Sequence, residues 1–305
     1  MSVQLHIGTL IVLFAAGIIA RRRGWIAPPQ AAKMVQLVVF VGLPALFLAS
    51  VSRMPLDREL LALPAIAIIV VLATLLVARA VGHRMVLPRT SLGAFVVCSM
   101  SINTAVLLPF VIVAWGQQAV SELALFDLGY SLVEGTVLCG VAAMYGGRST
   151  GALAPLRGAL SFPPLWALVV ALCINLAGVD LPAGLATALD LIGRTIVLLV
   201  LVAIGVLFDG RLLRSAGVIG VLVLRILFGL FVGYVCVEAF GLTGLERATV
   251  LLGSAAPIGF TAVVLASREH LDRELAASAA SLSILFAMLY TPVALWMFDV
   301  SQNSM

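Results

Sequence analysis

The chain has 305 residues, of which 63% are hydrophobic and only 10% are charged, and its mean hydropathy is +1.20. A soluble domain carries roughly 25% charged residues, so the polar side chains here are too few to cover a soluble globule of this size. The net charge of +4 comes from scattered arginines and one lysine, Lys33, placed between apolar runs. This pattern favours membrane topology signals over a nucleic-acid-binding surface, so no nucleic-acid partner is expected.

Long apolar runs follow one another along the whole chain. A helix that crosses a hydrocarbon core about 30 Å thick needs about 20 mostly apolar residues. We therefore predict an all-α integral membrane protein of about ten transmembrane helices. Arg21, Arg22 and Arg23 follow the first run, whereas a signal peptide carries its positive charge before its apolar core, so a first helix is expected there. The predicted spans are 4–20, 31–50, 60–81, 91–114, 121–145, 160–178, 185–208, 215–240, 246–267 and 274–298.

Basic residues alternate between the loops and predict the orientation. Lys and Arg concentrate in cytoplasmic loops. Thirteen fall on one side, whereas the other side receives only Arg53, Arg58 and Arg247, and Arg194 and Arg225 lie within spans. We expect a multi-pass protein of the plasma (bacterial inner) membrane with both termini outside. The thirteen are Arg21, Arg22, Arg23, Lys33, Arg79, Arg84, Arg89, Arg148, Arg157, Arg211, Arg214, Arg268 and Arg273.

Two interruptions occupy the fourth and ninth predicted spans. Ten spans divide into two five-span halves of opposite topology, an arrangement found in many secondary transporters, and each interruption lies in the fourth span of its half. The first is Ser99–Phe110 and the second is Gly253–Thr261, and both contain proline and small polar residues. Proline removes a backbone donor and clashes with the preceding turn, so each helix should kink or open. The alternative is that the prolines only bend the two helices.

An opened helix at mid-membrane offers a specific binding chemistry. The N-terminus of its second half presents unpaired amides and a positive dipole end, which attract an anion. Side-chain donors add to this, and a small organic carboxylate fits the expected geometry, while freed carbonyls suit Na⁺ or a water molecule. The candidate substrate-binding residues are Asn103, Thr104, Pro109, Ser254, Pro257 and Thr261.

At these residues the sequence resembles the auxin efflux carrier family, whose bacterial members are usually described as malate or malonate permeases. Asn103-Thr104 followed by Pro109 resembles the family's Asn-Thr-Gly…Leu-Pro segment, with Ala105 in the place of the glycine. Ala256-Pro257 and the following Thr261–Ala266 resemble its second proline segment, and Gly42–Ala45 matches its Gly-Leu-Pro-Ala motif. The resemblance covers the order of spans along the whole chain.

The resemblance implies that some helices form a fixed scaffold and that the others move. Scaffold helices would lie in 1–58 (spans 1 and 2) and 151–210 (spans 6 and 7), and mobile helices in 59–150 (spans 3 to 5) and 211–305 (spans 8 to 10). Spans 4 and 9 would cross at their broken points, and the mobile unit would move by an elevator-like or rocking motion. A homodimer through the scaffold helices is expected. The distantly similar bile acid/sodium symporters share the crossover, which leaves sodium coupling open.

Ionisable residues inside the spans are costly and are functional candidates by default. Asp127, Tyr130, Ser131 and Glu134 have the i, i+3, i+4, i+7 spacing of one helix face. Glu134 lies nearest mid-span and is a candidate for proton coupling, whereas Asp127 is expected at the solvated rim. The remaining candidates are Arg225, which shares a face with Gly217, Gly229 and Gly233, and Arg194, one turn after Asp190. The alternatives are buried pairs that only hold helices together, such as Glu134 with Arg225, or direct substrate contact by either arginine.

Other chemistry is not indicated. The sequence has no Walker A motif, His-Glu-x-x-His motif or nucleophile elbow, its four cysteines lie in apolar runs, and its three histidines are far apart. We therefore predict a secondary transporter of a small organic anion and not an enzyme, without a cofactor or metal, coupled to H⁺ or Na⁺ or uncoupled. A sodium-coupled symporter of the bile-acid type and a passive anion channel are the alternatives, ahead of a membrane-embedded enzyme or a receptor.

Overall fold

The computed structural model describes residues 3–54, 60, 62–147, 163–208 and 215–298, and these ranges contain helices and no strand. We number the helices along the chain, and the bounds of α2, α5 and α8 include a π-helical turn within each. They are α1 Val3–Arg22, α2 Pro28–Val51, α3 Ala62–Arg84, α4 Arg89–Met100, α5 Leu108–Gly146, α6 Pro163–Leu176, α7 Ala183–Leu207, α8 Ala216–Phe240, α9 Gly244–Ser254, α10 Phe260–Arg268 and α11 Arg273–Met297.

Six of these helices are long and apolar enough to cross a membrane, namely α2, α3, α5, α7, α8 and α11. Helices suit a bilayer because they satisfy their backbone hydrogen bonds within one segment. Large apolar side chains also lie exposed on their outer faces, such as Leu76 at 70% and Trp296 at 75% exposure, as expected for contact with lipid. The prediction of an all-helical membrane protein is confirmed, whereas the count of ten crossings and their inverted relation stay predictions.

Four helices, α1, α2, α6 and α7, form one packed group, in which α7 packs against α1 and α2, and α2 packs against α6. A Cβ atom at Gly205 of α7 would lie 3.0 Å from the Cα atom of Gly17 in α1, so these helices meet backbone to backbone. The Asn175 side-chain amide of α6 donates to the carbonyls of Val51 and Met54, at 2.8 and 2.7 Å, and ties α6 to the end of α2. These helices are called the first packing group below.

The second packing group consists of α3, α4, α8, α9, α10 and α11. Helix α5 contacts both groups: it packs along α3 and α9 and also touches α1, α2, α6 and α7. Gly129 of α5 has no room for a Cβ atom because the Pro64 backbone of α3 lies against it. Helix α5 therefore joins the two groups, and any relative movement between them involves its surface.

Helix α5 spans 39 residues but contains one break, at Gly116. Gly116 has φ 75° and ψ −160°, a conformation that glycine adopts without the steric cost of a Cβ atom. The helix continues directly at Gln117, so the predicted spans 4 and 5 are joined by one residue and not by a loop. Residues 117–134 therefore lie further from the start of the second segment of α5 than a helix start at residue 121 would place them.

Candidate functional site

The first interruption opens between α4 and α5, as predicted. Helix α4 ends at Met100, the backbone is extended at Ser101 (φ −74°, ψ 133°), and a 3₁₀ turn covers Thr104–Val106 before α5 begins at Leu108. Pro109 lies in the first turn of α5, where a helix has no partner for the backbone N–H that proline lacks. Pro109 therefore starts the second half of the broken helix and does not kink a continuous one.

The second interruption separates α9, which ends at Ser254, from α10, which begins at Phe260. Its backbone polar groups have partners from three directions. Arg225 donates to the carbonyls of Ser254 and Ala256, and Tyr290 donates to the carbonyl of Ala255. The Ile258 N–H donates to the Ser283 Oγ atom at 3.0 Å, and the Pro257 carbonyl accepts from the Asn103 N–H at 2.8 Å. The opened backbone is thus satisfied inside the protein, as a membrane interior requires.

Arg225 is fully buried, as the small-residue face of its helix predicted. Its guanidinium lies at the C-terminal end of α9, where the helix dipole and unpaired carbonyls are negative. Its Nη1 atom and the Ser254 Oγ atom are buried without a hydrogen-bond partner among the described residues. Arg225 therefore stabilises the opened backbone of the second break. In the described part of the chain it forms no ion pair with Glu134.

The two interruptions meet backbone to backbone. The Asn103 N–H crosses to the Pro257 carbonyl. A Cβ atom at Gly259 would lie 2.7 Å from the Ser101 Oγ atom and 2.8 Å from the Ile102 carbonyl oxygen, which is closer than a side chain tolerates. Glycine at 259 is therefore what allows the second break to approach the first.

A cavity of about 170 Å³ lies at this crossing, and we call it the crossing cavity. Its polar wall comes from the two breaks and α5, and its apolar wall comes from the first packing group, namely from α2 and α7. The polar wall contains Asn103, Thr104, Asp127, Tyr130, Ser131, Glu134 and Thr261, with Ile102, Ala105, Gly259 and Phe260 between them. The apolar wall contains Val35, Val38, Val39, Leu43 and Val200.

Two carboxyl groups dominate the chemistry of the crossing cavity. Thr104 donates to the Asp127 carboxyl at 2.6 Å, and Ser131 lies 3.5 Å from its other oxygen. Tyr130 donates to the Glu134 carboxyl at 3.0 Å. No arginine or lysine of the described ranges lines this cavity, and the Asn103 side-chain amide has no hydrogen-bond partner within those ranges.

The expectation that Asp127 is a solvated rim residue is wrong. Asp127 is 7% exposed and faces the crossing cavity beside Thr104. The predicted start of span 5 at residue 121 placed Asp127 in its second turn, but the helix runs on from Gly116. Residue 127 is therefore about 15 Å along the helix from Gln117, at a rise of about 1.5 Å per residue.

Three π-helical turns occur in the described chain, and each lies at this site. They are Val38–Gly42 in α2, Glu134–Leu138 in α5 and Val223–Phe228 in α8. Val38 and Glu134 line the crossing cavity, and Arg225 supports the second break. Such turns are rare inside α-helices and occur often at functional sites.

The predicted candidates therefore separate into four places. Asn103, Thr104, Thr261 and Glu134 line the crossing cavity. Pro257 forms the crossing contact through its carbonyl, whereas Pro109 and Ser254 are buried outside the lining. Arg194 lies in a second cavity, exposed and paired with Asp190 at 2.8 Å, as its one-turn spacing predicted.

Sequence reasoning missed the residues of the apolar wall and the glycine at the crossing. The valines of α2 and α7 carry no signal that separates a cavity wall from a lipid-facing surface. The sequence does contain the stripe that includes Tyr130 and Ser131, and its spacing is the signal that identifies one wall of the cavity. Outside this site, the four cysteines are free thiols, and no group of metal ligands occurs among the described residues.

Comparison with known proteins gives a family match and two relatives. Residues 152–295 match the family described as membrane transport protein. An uncharacterized transporter of Methanothermobacter thermautotrophicus is 25% identical over 291 residues, which covers 93% of this chain and 95% of that protein. An uncharacterized transporter of Methanocaldococcus jannaschii is 23% identical over 300 residues, covering 94% and 95%. The relationship therefore extends over nearly the whole chain.

Proposed function

We propose that this chain, which belongs to the auxin efflux carrier family of membrane transport proteins, moves a small organic anion, a carboxylate, by alternating access. That it is a membrane transporter follows from the family and from its apolar helices. The observation that supports the proposed site is the contact of two broken helices around one polar cavity. Opened helices that meet in this way are typical of secondary transporters.

The crossing cavity offers several donors to a carboxylate. Helix α10 begins at Phe260, and residues 259–261 line the cavity, so the unpaired amides and positive dipole end of α10 face the bound solute. The Asn103 side-chain amide supplies a further donor, because it is free of other hydrogen bonds within the described chain. Thr261 adds a hydroxyl group from the opposite break.

The same cavity holds Asp127 and Glu134, and this pair has a consequence for coupling. Two carboxylates in a medium of low dielectric repel an anion strongly when no arginine or lysine offsets them. A carboxylate substrate therefore enters together with a cation that neutralises this wall. We propose that H⁺ or Na⁺ plays this part, at the oxygens of Asp127, Thr104, Ser131 and Glu134, which are of the type that hard cations prefer. A sodium-coupled symporter of the bile-acid type is the second candidate, and it rests on this cluster of oxygens.

The packing groups suggest how access alternates. The first packing group supplies only an apolar wall to the cavity, while the breaks and α5 carry every polar group that touches it. We propose that α1, α2, α6 and α7 form a scaffold and pair in a homodimer, and that the remaining helices slide past them. In this proposal the chain crosses the plasma membrane ten times as two inverted halves, with both termini outside.

Uptake of a labelled carboxylate into proteoliposomes tests the proposed site. Asn103→Ala removes a donor to a charged ligand, a hydrogen bond worth about 1.5–3 kcal/mol, so the half-saturating substrate concentration should rise at least about tenfold. Arg247→Gln is the matched control, because Arg247 forms an exposed ion pair with Glu238 away from the cavity, and it should leave uptake unchanged. Normal uptake by Asn103→Ala for an accepted substrate would place the site elsewhere.

A thermal-shift screen of the purified protein identifies that substrate. A ligand that binds only the folded state stabilises it by about 2.7 kcal/mol at a hundred times its dissociation constant. We expect one class among malonate, malate and aromatic acids to raise the unfolding midpoint, and the cation coupling predicts a larger rise at low pH or in Na⁺. No shift with any carboxylate, under any of these conditions, would contradict an organic anion as the substrate.

A further inference from the structure

A second and larger cavity, of about 400 Å³, lies away from the crossing cavity. It is formed by the end of α2, the part of α5 that follows Gly116, and the first turns of α7. Its lining includes the polar side chains of Arg53, Gln117, Gln118, Thr187, Asp190 and Arg194. We call it the arginine cavity, and by the predicted topology it opens to the outside.

The net charge of the described residues that line the arginine cavity is positive. Two arginines face one carboxylate, that of Asp190, and Arg194 directs its Nε atom to that carboxylate at 2.8 Å. Within the described ranges Arg53 makes one long contact, 3.4 Å to the Leu181 carbonyl, and it is exposed. Arg53 is one of the three basic residues in the loops of the predicted outer side, and Arg194, which lies within a span, lines the same cavity.

Arg194 also links the first packing group to α5. Its Nη2 atom donates to the Gln117 side-chain oxygen at 3.2 Å, which connects α7 to the part of α5 just after the Gly116 break. A carboxylate accepts a hydrogen bond from a guanidinium more strongly than a neutral amide does. An incoming carboxylate can therefore take the place of Gln117 on Arg194, and the link between α7 and α5 is then released.

We propose that the arginine cavity is a second binding site, which takes up a carboxylate solute through Arg53 and Arg194 before the solute reaches the crossing cavity. Helix α5 connects the two places, since Gln117 lines one and Asp127 lines the other, about 15 Å along the same helix. The proposal rests on the proposed function for the identity of the solute as a carboxylate. It concerns different residues, so the two can fail separately.

The test uses a cysteine placed in the arginine cavity and needs no transport. Thr187→Cys is introduced into a variant in which Cys173 and Cys139 have been replaced, because these two exposed or half-buried thiols would compete for the reagent. The purified protein is reconstituted in nanodiscs of phosphatidylcholine, so no anionic lipid competes for the arginines. The rate of modification is compared for an anionic and a cationic methanethiosulfonate reagent, with and without malonate.

The net positive charge should favour the anionic reagent, and Arg53→Gln and Arg194→Gln should each lower its relative rate about fivefold at low salt, because each removes one nearby charge. Malonate should slow modification in the starting protein and have no effect in Arg194→Gln. Arg247→Gln makes the same charge change outside the cavity and should alter neither result. Both effects should persist in Asn103→Ala, which separates this site from the crossing cavity. Equal rates for the two reagents, or the absence of malonate protection, would overturn the proposal.

Discussion

Arg225 should contribute more to the stability of this protein than any exposed arginine, because it satisfies two carbonyls of the opened helix. Arg225→Met keeps the bulk of the side chain and removes both donors, which leaves the Ser254 and Ala256 carbonyls buried without partners. A hydrogen bond from a charged donor contributes about 1.5–3 kcal/mol. Losing both bonds should lower the free energy of unfolding by about 3–6 kcal/mol. This loss is reduced because Arg225→Met no longer buries a charge, which costs desolvation free energy.

Arg225→Lys separates charge from geometry. An ammonium group keeps the positive charge at the C-terminal end of α9, but it lacks the planar fork with which Arg225 reaches two carbonyls at once. Arg225→Lys should therefore be less stable than the starting protein and more stable than Arg225→Met.

Two measurements test this prediction: thermal unfolding in detergent, and hydrogen exchange of the peptide that contains residues 253–260. The break should exchange faster in Arg225→Met, whereas Arg247→Gln, at an exposed ion pair, should change stability by no more than about 0.5 kcal/mol. If Arg225→Met unfolds at the same midpoint as the starting protein and its break exchanges no faster, Arg225 does not brace the opened helix.

Two further predictions concern the crossing cavity. Glu134→Gln should abolish accumulation driven by a pH gradient while substrate exchange continues, because the amide keeps the contact with Tyr130 but cannot release a proton. A drop in unfolding midpoint with coupling intact would instead make Glu134 a structural residue. Gly259→Ala should reduce transport at least tenfold, since its Cβ atom would lie 2.7 Å from the Ser101 Oγ atom and push the two breaks apart. Gly8→Ala, where a Cβ atom meets nothing within 4 Å, is its control, and equal transport by the two variants would show that the close approach is dispensable.

The sequence was sufficient to locate both interruptions, because proline next to small polar residues inside an apolar run weakens a membrane helix at that point. Asn103 and Pro257 were expected at one site, and the structure joins them by a hydrogen bond. The glycines on the helix face of Arg225 also predicted its inward orientation. The one-turn spacing of Arg194 and Asp190 predicted their pairing.

The features that the sequence did not predict depend on contacts between distant segments. The depth of Asp127 was misjudged because a single glycine, Gly116, replaces an expected loop between two spans. The bracing role of Arg225 depends on which carbonyls the second break frees, and these become known only when its path is known. The apolar wall from Val38 and Val200 is indistinguishable in composition from a lipid-facing surface.

The proposed function requires the crossing cavity to open to each side of the membrane in turn. Ala105 lines this cavity and is half-buried, so Ala105→Cys in a chain without its four native cysteines reports access directly. A membrane-impermeant thiol reagent, added to oriented vesicles from one side or the other, should label this cysteine from both sides. A transported carboxylate should protect it in each case. Labelling from one side alone, or labelling that no carboxylate affects, would contradict alternating access at this cavity.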